Sequence, residues 1–217
     1  MPRRALTPRS TPSVLCVGQA TLDHVFTVAG PLRAGHKHVA ETHTTTGGGV
    51  AANAAVTVAR LGGRAVLAGR VGDDHAGDVV AEGLEREGVD TPLLDRAAGV
   101  ATPVSAVVVG SDGARTIVNH TPTHLFHDTP GFGEVVADAV LVDGRWAGGT
   151  AAGLERARQL GVPGVVDVDR RPPGDELATM FDLATHLVFG EDAAAAVAGT
   201  DDPTVALRRI AGQTAAL

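Results

Sequence analysis

Gly47, Gly48 and Gly49 stand directly before Val50-Ala51-Ala52-Asn53, and residues of these types in this order suit an anion or a hydroxyl-rich ligand. Glycine has no side chain, so the main chain can approach a ligand closely. Backbone N–H groups left free at the first turn of a following helix favour anions and hydroxyl oxygens, and the Asn53 amide, one turn in, both donates and accepts. That chemistry suits a polyol. Val50, Ala54, Val58 and Leu61 recur at helical spacing, which predicts a buried helix opened by the glycine loop and stopped at Gly62-Gly63. Residues 65–69 read as a buried strand, Gly72-Asp73-Asp74 as a turn, and residues 76–87 as an amphipathic helix with Val80 and Leu84 one turn apart.

Two phosphate-binding loops compete for this stretch. A Walker loop needs a lysine beside its last glycine, and the one lysine of the chain is Lys37, in His36-Lys37-His38. Gly47-x-Gly49-x-x-Ala52 fits the loose dinucleotide pattern, with Asp73 and Asp74 downstream. A dinucleotide fingerprint, however, follows a central parallel strand that is apolar on both faces, whereas residues 38–46 are polar and alternating.

The composition of 217 residues, 44% of them hydrophobic, supports a sizeable core and one domain, read as residues 13–217 after a solvated, disordered leader over residues 1–12. A net charge of -7 leaves only Arg3, Arg4 and Arg9 as a short basic leader, so no nucleic-acid footprint is present. No run of eighteen apolar residues is present to span a membrane, and the leader has no apolar segment of the kind that export signals carry. Cys16 is the single cysteine, which excludes an internal disulfide framework and a cysteine-rich zinc site. The absence of signal and disulfides points to the cytoplasm.

Residues 13–18 read as a central strand, and Asp23 follows where the carboxyl end of such a strand would open, as a ligand group or as a turn residue. Residues 24–46 alternate apolar and polar side chains, as do residues 102–109 and 115–120 around Ser111-Asp112-Gly113. Together they predict antiparallel strands of a small β-sheet at about 24–46 and 100–120. His36, His38 and His43 fall there as solvated strand histidines without a carboxylate triad or cysteine. From residue 139 onward, short apolar runs alternate with helical patterns, predicting βαβ units and a doubly wound, mostly parallel α/β sheet. Asp143, Arg145 and Asp169 fall at strand carboxyl ends, as site-edge groups or as turn and capping residues. Glu191 stands before the next helix, as a site-edge group or as its cap.

The stretch from Thr46 to Asp74, closed by Val71-Gly72-Asp73-Asp74-His75-Ala76-Gly77, resembles the first signature of the ribokinase-like (PfkB-type) carbohydrate kinases. The resemblance implies a ribokinase-like fold whose small sheet is a lid over the sugar and a surface for pairing two copies. It implies that Asp23, Gly48, Gly49 and Asn53 hold the sugar, with ATP and Mg²⁺ as cofactors. Gly113-Ala114-Arg115-Thr116-Ile117-Val118-Asn119-His120, after Thr102-Pro103, is similar to ketohexokinase-type members, which implies a phosphate contact for Arg115 and favours a ketose. Asp128-Thr129-Pro130-Gly131-Phe132-Gly133-Glu134 echoes the family's second signature, D-T-x-G-A-G-D, but ends in Glu134, carries bulky Phe132 and has too short a stretch behind it for a helix. It reads as a loop. The chain is expected to be an inactive fragment that lacks the C-terminal strands and the catalytic signature, with the base beyond Leu217. A non-catalytic sugar-binding or regulatory protein and a nucleoside kinase are the alternatives.

Overall fold

The computed structural model describes residues 11–214, so the basic leader at Arg3, Arg4 and Arg9 lies outside the described residues. The chain enters as β1 (Ser13–Gln19), continues through Ala20 into β2 (Thr21–Val28), and returns along β3 (Ala40–Gly48) to α1 (Val50–Arg60). Next come β4 (Arg64–Gly72), α2 (His75–Arg86), β5 (Val89–Ala97) and the hairpin of β6 (Val104–Val109) and β7 (Arg115–His120). The remainder alternates: β8 (Ala139–Val142), α3 (Ala147–Leu160), β9 (Gly164–Val168), α4 (Gly174–Leu183), β10 (His186–Phe189), α5 (Glu191–Ala198) and α6 (Pro203–Ala211).

Six strands form one sheet in the order β10-β9-β8-β1-β4-β5, and every pairing in it is parallel. Period-two alternation divides its side chains between two apolar layers. Leu15, Val17, Val66 and Ala68 face Val140, Val142, Leu154 and Trp146. Cys16, Ala65 and Leu67 face Ala51, Ala55, Val80 and Leu84. Helix α3 thus covers one face, α1 and α2 the other, and the doubly wound architecture follows.

Three local readings change. The buried side of α1 is Ala51, Ala52 and Ala55, whereas Leu61 is 82% exposed. Small alanines let the helix settle directly on the sheet, so the face with the least bulk is the one that docks. Strand β5 was not expected, because Pro92 and the acidic Asp90 and Asp95 break the pattern of a buried strand. It is an edge strand, where proline and charge are tolerated. Finally, Asp23 lies within a strand, as the third residue of β2 in the second sheet, just past the carboxyl end of β1.

That second sheet has the order β3-β2-β6-β7. Its outer pairs are antiparallel, but β2 and β6 run parallel, against the purely antiparallel expectation. The long crossover from β2 through the main domain to β6 makes a parallel pair available. His36 and His38 sit in the loop before β3 and contact the Ala34 and Arg33 backbone, so only His43 of the three is a strand residue. Among the described residues no group of three or more His, Cys, Asp or Glu is placed to hold a metal. No helix among them is long and apolar enough to cross a membrane.

Candidate functional site

Strand β3 delivers the glycine run to the start of α1. An added Cβ at Gly48 would lie 2.0 Å from Asp23 Oδ2, so the missing side chain is what lets that carboxylate lie against β3. Gly49 caps α1 with φ 95°, a left-handed conformation that strongly favours glycine, and a Cβ there would meet the Gln19 carbonyl oxygen at 2.4 Å. The run follows an edge strand of the small sheet that is exposed from residue 40 to 47, which removes the dinucleotide reading.

Asp23 faces a cleft of about 210 Å³ also lined by Gly49, Asn53, Ser105, Asn119 and Arg145. Its Oδ1 is buried without a hydrogen-bonding partner, and so is Arg145 Nε. An acceptor and a donor, both dehydrated and unsatisfied, therefore border one cleft, and each such group costs about 1–3 kcal/mol until something pairs with it. Asn53 is exposed at the rim, its backbone N–H bonded to the Gly49 carbonyl at 2.8 Å.

The small sheet forms the opposite wall. Register pairs Asp23 with Ser105 and Ser105 with Asn119, and Val107 with Ile117, so all five project from one face. Gln19 Nε2 donates to Thr121 Oγ1 at 2.6 Å, Thr121 Oγ1 donates to Asn119 Oδ1 at 2.9 Å, and Asn119 Nδ2 donates to Ser105 Oγ at 3.0 Å. Sequence reasoning missed Gln19 and Ser105 and did not single out Asn119. A serine buried in the valine run of β6 was the available signal.

The floor is built on Asp143, which is 1% exposed. Its Oδ2 accepts the Gln19 N–H at 2.7 Å and the Ala51 N–H at 3.3 Å, and its Oδ1 accepts the Arg145 N–H at 2.9 Å. Burial pushes the Asp143 carboxyl up, against the pull of these three backbone donors. An anion of the protein's own thus already occupies the N-terminus of α1, which leaves that end of the cleft to a neutral polyol more readily than to a phosphate. Cys16, beneath, has its thiol pushed up to about 12 by burial and then by Asp143, and is inert packing.

Arg145 ion-pairs with Asp169 beyond β9. Burial, then the neighbouring Asp169, raises the Asp167 carboxyl, with Arg145 opposing. Arg145 thus joins Asp23, Gly49 and Asn53 around the cleft, with Asp143 buried beneath it, Gly48 behind Asp23 and Asp169 one contact away. Two expected residues stand apart. Arg115 shares the face of Ile117 and Asn119 but sits at the open tip of the hairpin, exposed, opposite Val109. Glu191 opens α5 after β10, the outermost strand on that side, and makes no capping bond. The Asp128–Glu134 echo is a loop, with Phe132 buried in the core and Asp128 paired to Arg70 at 3.1 Å. Asp167 and Asp169 are oxygen donors of the kind Mg²⁺ takes, but Asp169 is already engaged by Arg145.

Residues 11–216 match the profile of the pfkB family carbohydrate kinases. Fructokinase-1 of Oryza sativa subsp. japonica is 38% identical over 102 residues, covering 47% of this chain and 30% of the relative. The ribokinase of Bacillus subtilis (strain 168) is 30% identical over 106 residues, covering 49% and 36%. Among solved structures, a candidate ribokinase from Agrobacterium tumefaciens superposes with a TM-score of 0.84 at 34% identity, over 91% of this chain and 65% of its own. The Arabidopsis thaliana ribokinase complexed with ribose and ATP has the same fold, with a TM-score of 0.76 at 22% identity, over 95% and 70%. The chain thus spans about a third of the curated relatives it matches and about two thirds of the solved ones. With a family profile matched over nearly its whole length, a ribokinase-like fold and a glycine run set against an aspartate, the chain belongs to the PfkB family of carbohydrate kinases.

Proposed function

We propose that this chain supplies the sugar-binding part of an ATP-dependent carbohydrate kinase, with a ketose-like sugar as its small-molecule partner. The observation that carries the reading is the buried, unpartnered Asp23 Oδ1 at a cleft that also holds the unpartnered Arg145 Nε. A sugar carries several hydroxyls that each donate and accept, which matches an acceptor and a donor on residues of one cleft. Asp23 accepts from hydroxyls and Asn53 donates and accepts at the rim. Gly48 and Gly49 let the backbone close on the ring, and Arg115 at the hairpin tip meets phosphate as it approaches.

ATP and Mg²⁺ are the cofactors of this reading, Mg²⁺ supplying charge neutralisation on the phosphates. Phosphoryl transfer also needs a base for the acceptor hydroxyl and a nucleotide site. In the family pattern the base belongs to D-T-x-G-A-G-D, which the 217 residues do not contain. We therefore expect these residues alone to bind sugar without turning over ATP. For assembly, a second copy pairs through the small sheet.

Calorimetric titration of the purified chain with fructose, ribose and adenosine tests the reading. Binding of a sugar is expected, weakened by tenfold or more in Asp23→Ala and in Asn53→Ala, since an enclosed polar site discriminates strongly on hydroxyl partners. Unchanged affinity in both variants would show that the site lies elsewhere. Preference for adenosine would move the substrate to the nucleosides, and measurable turnover would remove the expectation of inactivity.

A further inference from the structure

The closing part of the first signature, Gly72-Asp73-Asp74 to Gly77, does not line the cleft, and none of the roles above uses it. Yet Asp74 is one of the most densely bonded carboxylates among the described residues. Its Oδ1 accepts the Gly77 N–H at 2.9 Å, capping α2, and the Thr102 hydroxyl at 2.5 Å. Its Oδ2 accepts the Thr102 backbone N–H at 2.9 Å. Thr102, 1% exposed, takes the Gly72 N–H on its own hydroxyl at 2.8 Å. Both glycines make room: a Cβ on Gly72 would meet the Val100 carbonyl oxygen at 2.3 Å, and one on Gly77 the Gly72 carbonyl oxygen at 2.3 Å.

Thr102 lies two residues before β6, in the segment by which the chain leaves the main sheet and enters the small one. The next residue, Pro103, accepts the Leu22 N–H at 2.9 Å, which joins the same segment to β2. The strand that starts there carries Ser105 and Val107 into the cleft wall and holds β7 with Asn119 beside it. A displacement at Thr102 is therefore passed directly to the wall that faces Asp23.

We propose that Asp74 and Thr102 form a latch that sets the position of the small sheet over the cleft, making Asp74 a positioning residue for the ligand that Asp23 holds. The assignment rests on the reading of the cleft as a sugar site. The latch separates the two uses of one carboxylate: Gly77 is the helix cap, and Thr102 is the connection to β6. Removing the Thr102 hydroxyl takes away one of the two Thr102 bonds to Asp74, together with the acceptor of the Gly72 N–H, and leaves the cap.

Hydrogen exchange on the ligand-free chain and fructose titration, each on wild type, Thr102→Val and Thr102→Ser, test this. In Thr102→Val, exchange across β6 and β7 is expected to rise on the order of tenfold while β1 and β4 stay protected. Fructose affinity should fall by about tenfold, as misplacement of a positioned wall does. Thr102→Ser should restore both. Asp74→Asn keeps one oxygen for Gly77 and the Thr102 hydroxyl but sets its amide N–H against the Thr102 backbone N–H, so it breaks the other bond of the latch and should raise exchange in β6 and β7 in the same way if Thr102→Val folds poorly. Exchange that rises equally in both sheets, or that does not change, overturns the latch. A wild-type chain that binds no sugar but shows the local exchange in Thr102→Val would overturn the sugar reading while supporting the latch.

Discussion

Asp23 holds its position at a cost. Its Oδ1 is buried and unpartnered in the ligand-free chain, and its Oδ2 lies against the Gly48 backbone. Replacing it with alanine removes the unsatisfied acceptor and leaves the surrounding strands paired. The ligand-free chain with Asp23→Ala should therefore melt at the same temperature as wild type or up to roughly 12 °C higher, from the about 1–3 kcal/mol carried by a buried orphan acceptor at about 2–4 °C per kcal/mol. Calorimetric scanning of both proteins without sugar checks this, and a clear fall in melting temperature would mean that Asp23 is a structural residue. The glycine run was legible in the sequence because three successive glycines cost chain entropy, and a close approach of the backbone at a helix start is what offsets it, whereas Asp23 was singled out by the family resemblance. Arg145, Gln19 and Ser105 were harder to see as one site. They come from segments separated by dozens of residues, and only the assembly of the two sheets brings them to one cleft.

Helix α2 and the strand before it show how an element is held by groups at its ends. Burial pushes the Asp74 carboxyl up, but hydrogen bonds from Thr102 and Gly77, with Arg96 nearby, outweigh this and hold it below its ordinary value. A carboxylate whose folded value is depressed adds stability above its unfolded value, and that stability is lost as pH falls through the folded one. The stability gap between wild type and Asp74→Asn, measured by urea unfolding, should be constant from neutral pH down to the ordinary aspartate value of 3.8 and shrink below it. A gap that persists unchanged into more acid solution would place the effect in packing. At this scale the sequence read well wherever one periodicity dominated, as in the alternation from β8 to α6. It misread α1, whose larger residues suggested one face while its alanines supplied another. It also missed β5, because an edge strand has no need of the apolar pattern that marks a central one.

The whole molecule has two sheets with different surfaces. The parallel sheet is covered by helices on both faces, while the small sheet ends in β7, exposed along its full length with Val118 68% exposed and Ile117 52% exposed. An uncovered edge with apolar side chains is a template for another strand. With a second copy proposed there, light scattering on the purified chain should give twice the 22.0 kDa mass, and Val118→Lys should return it to the monomer. A wild-type chain at 22.0 kDa would exclude pairing.

By itself, the order of residues determined the alternation of strands and helices and the glycine run at the start of α1. These are local properties: periodicity, backbone freedom and the chemistry of neighbours along the chain. The tertiary structure alone decided that β6 runs parallel to β2, that Asp143 occupies the N-terminus of α1, and that Asp23 and Arg145 reach one cleft without partners. Each depends on groups far apart in the chain, such as Ala51 and Asp143, 92 positions apart, brought together by which strand pairs with which and in what register. No local pattern encodes that choice, because burying the most apolar surface with the fewest unpaired polar groups is a property of the whole chain.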